Sequence, residues 1–285
     1  MEDIVNLDIV KMDINENIVS PFDVLAENYD TDFTQAEIGK LQRERVWQGL
    51  YKLLAVYDRP LKILEINCGT GYDALKLAAM GHSVMATDAS AMMIRKASEK
   101  LLSAGNIAGK VEFMQCSFGE LAACFSNEKF DLIFSNFGGL NCIPLPAIQK
   151  LSNDLVKLVC TNGYVFLTVM SRFCVWEIVY FLSKAKLSTA FRRQKESILF
   201  GKGEQVMPIY YYSPRQLIKL FEPYFKPVHT YSAGLFIPPS YLEQQFIKNK
   251  STLRRLARWE QRLGNYSWTA RFADHFCIAF KKHKG

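Results

Sequence analysis

The residues best placed to do chemistry lie in the run Leu61-Lys62-Ile63-Leu64-Glu65-Ile66-Asn67-Cys68-Gly69-Thr70-Gly71. Its apolar part reads as a buried strand, and the glycines behind it read as a tight turn. Seventeen residues beyond Gly71, a second apolar run, Val84-Met85-Ala86-Thr87-Asp88, ends in a carboxylate. Glycines let the backbone close in on a ligand, and an acid at the next strand end accepts hydrogen bonds from ribose hydroxyls. These are the parts with which an α/β sheet grips a nucleoside. Two later strand ends add polar and flexible residues: Gln115-Cys116-Ser117-Phe118, and Ser135-Asn136-Phe137-Gly138-Gly139-Leu140-Asn141.

The elements that must position these residues follow from periodicity. Residues 1–20 are polar and irregular and read as a mobile arm. A helical segment follows Ser20-Pro21 as far as Asn28, and a longer helix runs from about Gln35 to Tyr57 on the spacing of Ile38, Leu41, Val46, Leu50, Leu53 and Leu54. From residue 61 strands and helices alternate. Strands are expected at 61–66, 83–87, 111–115, 130–135 and 164–170, with helices at 72–80, 90–104, 118–125 and 147–160 between them. That rhythm specifies a parallel, doubly wound sheet. It breaks at 171–212, which is long, aromatic and basic. Regularity returns with helix 214–221, strand 226–232, helix 250–263 and strand 275–281.

Composition narrows the class. The chain has 285 residues, 49% apolar, enough to bury a sizeable core. No run of about eighteen apolar residues suggests a membrane span, and the acidic N-terminus is unlike a signal peptide. The seven cysteines are scattered without CxxC spacing, so free thiols in a reducing, cytoplasmic setting are expected, with no metal site. Residues 181–285 hold 19 Lys+Arg against 6 Asp+Glu. Such a basic third attracts an anionic substrate, a membrane surface or RNA, or is a solvated face without a partner.

The arrangement resembles the class I S-adenosylmethionine-dependent methyltransferases, in particular the small-molecule branch called type 11. The likeness covers residues 22–170 well and the remainder loosely. In that family the first strand ends in acid-x-Gly-x-Gly-x-Gly. Here Glu65 fits the acid, and Gly69 and Gly71 fit the second and third glycines. Asn67 replaces the first, and Asn tolerates left-handed backbone angles. The resemblance implies a Rossmann-like seven-stranded sheet with an N-terminal helical lid and an insertion after the fifth strand. It implies S-adenosylmethionine as methyl donor and S-adenosylhomocysteine as product. By the same resemblance Asp88 holds the ribose diol, Cys68 and Ala89 are cofactor contacts, Ser117 meets the adenine, and Met93 and Phe118 pack on it or fill the core. Asn136, Phe137 and Gly138 pass under the methionine portion, and Tyr29 and Phe33 belong to the lid. Residues 1–57 are then arm and lid, 58–170 the cofactor-binding core, 171–212 the substrate pocket and 213–285 the completion of the sheet.

For the acceptor, aromatic residues and cations on the insertion point to an apolar or aromatic small molecule bearing an anion. Asn141, Arg172, Trp176, Arg192, Arg193 and Tyr211 are the expected contacts, and His229 is the candidate general base or else a partly buried structural histidine. A lipid-like acceptor fits the same description. Nucleic acid is disfavoured, because no separate RNA-binding module is visible and the fourth strand lacks an Asp/Asn-Pro-Pro-Tyr/Phe signature. A monomer or homodimer is expected. An RNA methyltransferase, a non-catalytic adenosylmethionine-binding protein and, more distantly, a nicotinamide oxidoreductase stand as alternatives.

Overall fold

Seven strands hydrogen-bond in the order β3-β2-β1-β4-β5-β9-β8. They are β1 (Lys62–Glu65), β2 (Ser83–Asp88), β3 (Lys110–Gln115), β4 (Phe130–Ser135), β5 (Val159–Met170), β8 (Phe225–Ala233) and β9 (His275–Lys282). A separate hairpin joins β6 (Ile198–Lys202) to β7 (Gln205–Ile209). The first five sheet strands are parallel, and β9 runs antiparallel between β5 and β8. The computed structural model describes residues 21–202, 205–246 and 249–283. The arm expected at 1–20 lies outside them.

Helices cover both faces. In chain order they are α1 (Pro21–Leu25), α2 (Glu37–Leu54), α3 (Tyr72–Ala79), α4 (Ala91–Ser103), α5 (Leu121–Cys124), α6 (Leu145–Leu158), α7 (Val175–Ser183), α8 (Leu187–Ala190), α9 (Pro214–Phe221), α10 (Glu243–Phe246) and α11 (Lys250–Leu263). Side chains alternate across a strand, so each sheet face has its own core. On one face Leu64, Ile133, Val165 and Ile278 meet Leu151 and Leu155 of α6 and Leu217 and Phe221 of α9. On the other, Ile63, Leu132 and Phe166 meet Trp47 and Leu50 of α2 and Leu77 of α3. Each such buried side chain contributes about 1.5–3 kcal/mol. Among the described residues no helix is long and apolar enough to cross a membrane.

The gap between the expected helix 147–160 and strand 164–170 is instead an irregularity within β5. Val159 pairs with Phe130 and Tyr164 with Leu132, so the extra residues bulge out, and Asn162 takes φ 63°. The two longest departures from alternation share one end of the sheet. His275 opens β9 and pairs with both Met170, the last residue of β5, and Ala233, the last of β8. Residues 171–212 and 234–274 therefore both spring from the edge where the parallel strands end. The second excursion carries α10 and α11, the latter the helix expected at 250–263.

Candidate active site

At that edge a cavity of about 440 Å³ opens, lined by residues after β1, β2, β3 and β4 together with Tyr29, Arg43 and Met207. Of the residues singled out in the sequence, it gathers Tyr29, Glu65, Asn67, Cys68, Gly69, Asp88, Ala89, Met93, Ser117, Phe118, Asn136 and Phe137. Phe33 is outside: its ring packs 5.1 Å from Tyr29 and is part-exposed. Gly71 is also outside the lining. Its φ is +78°, and an added Cβ would lie 2.8 Å from Ala97 and the Phe113 ring, so it seats the start of α3 against its neighbours. Gly139, not Gly138, is the glycine of the fourth loop that lines the cavity, and a Cβ there would come 2.5 Å from the Asn67 side chain.

Asn67 does not take left-handed angles. Its side chain explains its presence better than its backbone does. Its Oδ1 accepts from Ser135 Oγ at 2.5 Å and its Nδ2 donates to the Asn136 carbonyl, so the amide ties the first loop to the fourth. A glycine could make neither bond. Phe137, in that fourth loop, is held at φ 43°, an uncommon angle for an aromatic residue.

Asp73 organises the far wall. It accepts from Trp47 Nε1 at 2.7 Å, from Asn136 Nδ2 at 2.8 Å and from Arg43 Nη1. The Arg43 guanidinium lies over the rings of Tyr72 at 4.8 Å and Phe137 at 5.1 Å. Three buried polar atoms on this wall have no partner: Glu65 Oε2, Asn136 Oδ1 and Arg43 Nε. Buried polar atoms are almost always hydrogen-bonded, so three together point to a ligand. Two are acceptors and one is a cationic donor. An α-amino acid end, with its ammonium and carboxylate, would satisfy all three. Burial first, and the Asp73 charge next, push the Glu65 carboxyl well above its ordinary range, against the pull of Arg43.

Arg43 is the residue sequence reasoning missed. It sits on α2, 22 residues before Glu65, and nothing in helical spacing says that its partner is Asp73.

The opposite end is suited to a nucleoside. Asp88 accepts from Gly69 N and Ser90 N, both at 2.9 Å. A carboxylate has about four acceptor sites, so room is left for a diol. Ser117 Oγ donates to Glu120 Oε2 at 2.6 Å, which commits its proton and leaves its lone pairs as acceptors. Met93 is buried on the wall, its amide held by Ser90 Oγ at 3.1 Å.

Over this end lies the 21–34 segment. Asp23 accepts from Ser90 Oγ at 2.5 Å and from Met92 N at 3.3 Å, at the positive end of α4. Glu27 pairs with Lys96 at 2.7 Å, and Asp30 with Lys100 and, at 2.7 Å, Thr70 Oγ1. Phe22 lines the cavity and stacks on Phe200 of the hairpin at 6.4 Å.

No histidine lines the cavity. Burial pushes the Tyr29 phenol and the Cys142 thiol up to about 12 each, so both are protonated at neutral pH. Proximity and exclusion of water, rather than a strong base or thiolate, are what this wall supplies.

The expected acceptor contacts are elsewhere, and the expected base is too. His229 lies within β8, paired opposite Ala279, with its ring stacked 5.0 Å from Tyr231, away from the cavity. Burial first, then Lys52 and Arg45, lower its pKa. Arg193 is saturated by Glu177, Asp274 and the Ser171 carbonyl, and Arg192 grips Glu177 at 2.7 Å. Arg193 has no donor to spare for a substrate anion, and the charge of Arg192 is already matched by the buried Glu177 carboxylate. Tyr211 is buried under Arg193 at 4.8 Å. Trp176 donates to the Phe236 carbonyl, Arg172 to that of Gln194, and Asn141 to those of Met170 and Tyr210. From the insertion it is Met207, on β7, that reaches the cavity.

Residues 63–163 match a family model described as "Methyltransferase domain". Over those residues the chain carries a methyltransferase domain, and its seven-stranded sheet has the class I methyltransferase fold. The methionine tail of S-adenosylmethionine, the cofactor expected from the sequence, carries an ammonium and a carboxylate like those the three open atoms would accept. Among curated relatives, the tRNA 5-carboxymethoxyuridine methyltransferase of Escherichia coli (strain K12) is 30% identical over 103 residues, 36% of this chain and 39% of that protein. The ubiquinone biosynthesis O-methyltransferase of Rickettsia akari (strain Hartford) is 27% identical over 169 residues, 56% and 61%. The matches thus span about two fifths to three fifths of those proteins.

The methyltransferase domain also shares its fold with solved structures. A SAM-dependent methyltransferase from Methanosarcina mazei superposes with TM-score 0.58 at 19% identity, over 82% of this chain and 97% of that one. The magnesium protoporphyrin IX methyltransferase of Synechocystis PCC 6803, solved with bound product, gives 0.56 at 14%, over 86% and 85%. At such identities the likeness is one of fold.

Proposed function

We propose that the domain transfers the methyl group of S-adenosylmethionine to a flat, weakly polar acceptor held between the 21–34 segment and the β6–β7 hairpin. The single observation that carries this is the set of three unpartnered buried atoms, Glu65 Oε2, Asn136 Oδ1 and Arg43 Nε, at one end of a cavity whose other end holds Asp88. When bound, the cofactor supplies an electrophilic sulfonium methyl. Glu65 and Asn136 accept from its ammonium, Arg43 donates to its carboxylate, and Asp88 accepts from the ribose diol. Asp73 positions Arg43 and Asn136, as its bonds to both require.

The lining also includes Phe22, Tyr72, Phe137, Cys142, Ile143 and Met207. Apolar and aromatic walls suit a ring presented by its face and exclude water from the displacement. In this reading residues 21–34 are a lid and 171–212 its counterpart on the acceptor side. Arg192 and Arg193 are not assigned to the acceptor, since Arg192 is paired with Glu177 and Arg193 with Glu177 and Asp274.

Calorimetry with S-adenosylhomocysteine tests the assignment. Asp88→Ala removes charge-assisted bonds to the diol worth about 1.5–3 kcal/mol each, so affinity falls at least tenfold. Equal affinity in the variant refutes the placement of the nucleoside.

A further inference from the structure

The excursion between β8 and β9 separates its charges by sign. Its three acids are all used inside the protein. Glu243 accepts from the Glu37 and Ile38 amides that open α2, both at 2.9 Å. Glu260 is fully buried and accepts from Ser232 Oγ and from the amides of Gly234 and Phe236. Asp274 holds Arg193 and His275. The arginines of the same excursion face the other way. Arg254, Arg255, Arg258, Arg262 and Arg271 are exposed, and none is ion-paired among the described residues.

Helical geometry gathers four of them. At about 100° per residue, Arg254, Arg258, Arg262 and Arg255 fall within one quadrant of α11. Leu253, Leu256, Ala257 and Glu260 fall on the opposite side, turned into the protein. Trp259 borders the arginine quadrant and is 51% exposed. The turn behind the helix adds Tyr266 at 57% and Trp268 at 62%. Trp268 meets Phe272 edge-on at 6.3 Å, Arg271 lies over Phe272 at 5.0 Å, and Phe272 meets Phe173 at 5.7 Å. Three residues after Phe272, the buried His275 meets Phe137 of the cavity lining at 5.3 Å.

We propose that α11 and the turn behind it bind RNA, and that the methyl acceptor is a base carried by that RNA. The arginines would take phosphates, and the exposed indoles would stack on unpaired bases. This rests on the methyl-transfer reading, which asks for a flat ring as acceptor. Unpaired arginines on one face, with no exposed carboxylate among them, complement a polyanion. Arginine suits phosphate through its bidentate fork, and large exposed aromatics suit single-stranded bases. A lipid surface fits less well. A helix lying in a membrane turns its apolar side outward, whereas the apolar side of α11 faces inward. The face is built inside an excursion between two strands of the sheet, so it needs no separate RNA-binding module.

Fluorescence anisotropy with a labelled single-stranded oligoribonucleotide, and with total tRNA, tests the surface between about 50 and 200 mM salt. The wild-type chain should bind with a steep salt dependence. Arg254→Glu with Arg258→Glu should weaken binding at least tenfold and flatten the log–log salt slope by about two. Trp268→Ala should weaken it about tenfold without changing the slope. Both variants should keep wild-type affinity for S-adenosylhomocysteine, which shows that they are folded. With labelled S-adenosylmethionine, methyl groups should enter RNA in the wild type and enter at least tenfold more slowly in the double variant. Absence of RNA binding by the wild type, equal binding by the double variant, or retention by phosphatidylserine vesicles in place of RNA overturns the proposal. Failure of the wild type to bind S-adenosylhomocysteine would sink the methyl-transfer reading instead, and the anisotropy would then judge the RNA face by itself.

Discussion

Glu65 and Glu177 are both buried glutamates, and they live in opposite circumstances. Glu65 ends β1 with one carboxylate oxygen unpartnered and its pKa pushed up, chiefly by burial. Glu177, on α7, is gripped by Arg192 and Arg193, which outweigh the effect of burial and hold its pKa down. The parallel half of the sheet thus contains polar atoms waiting for a partner, while the insertion has used its own. A buried charge that is fully paired is structure. One that is left open, at a cost of about 1–3 kcal/mol, is kept for something that binds.

The comparison breaks most visibly at Arg193. Arg193→Met strips counter-charge from Glu177 and Asp274 together and should cost about 3–5 kcal/mol of stability. Denaturant unfolding reads this as a lower midpoint, with S-adenosylhomocysteine affinity of the folded fraction unchanged. A variant as stable as the parent would mean that the arginine is not the structural tie its contacts describe.

Glu65→Gln should do the reverse. It removes an unfavourable buried charge, so stability should hold or rise, while S-adenosylhomocysteine binding weakens by about 1.5–3 kcal/mol through loss of the ammonium contact. Undiminished affinity would reduce the three open atoms to a packing defect.

The smallest effect is in acid. Burial alone would raise both Glu177 and Asp274. Arg193 and Arg192 outweigh it at the first, and His275 and Arg193 at the second, so both carboxyls titrate below their ordinary values. Depressed carboxylates add stability that is complete above their unfolded values of about 4 and is lost as pH falls through the folded ones. Unfolding midpoints should therefore drop below about pH 4, by at most about 1.4 kcal/mol per pH unit for each group. In Arg193→Met the slope should flatten, and an unchanged slope would separate these carboxyls from the arginine.

Much of the cofactor end was legible because its signals are local. β4 at 130–135, α9 at 214–221 and α11 at 250–263 have the bounds that periodicity and caps indicate, the Ser213–Gln216 capping box of α9 among them. The glycine loop and Asp88 needed only strand ends to be found. Arg43 escaped because its meaning lies in Asp73, thirty residues away and on another helix. Asn67 was read through backbone freedom, whereas its side chain bridges two loops that only the folded sheet brings together. Arg192 and Arg193 looked like free cations because Glu177 and Asp274 are distant in sequence. A charge count shows how many cations there are and leaves open which of them are already spoken for.

The place of β9 has a consequence for synthesis. Of the seven described sheet strands it is the last in sequence, yet it lies between β5 and β8, with Phe276, Cys277, Ile278 and Phe280 fully buried. Until residues 275–282 leave the ribosome, β5 has an open edge and β8 has no neighbour in the sheet. The nascent chain can assemble its nucleoside-gripping half early, from strands linked by short crossovers. Its acceptor half must wait, with an exposed strand edge that is a template for mispairing. Both excursions are anchored by that final strand, so the surface facing the acceptor takes shape only when translation of the sheet is complete.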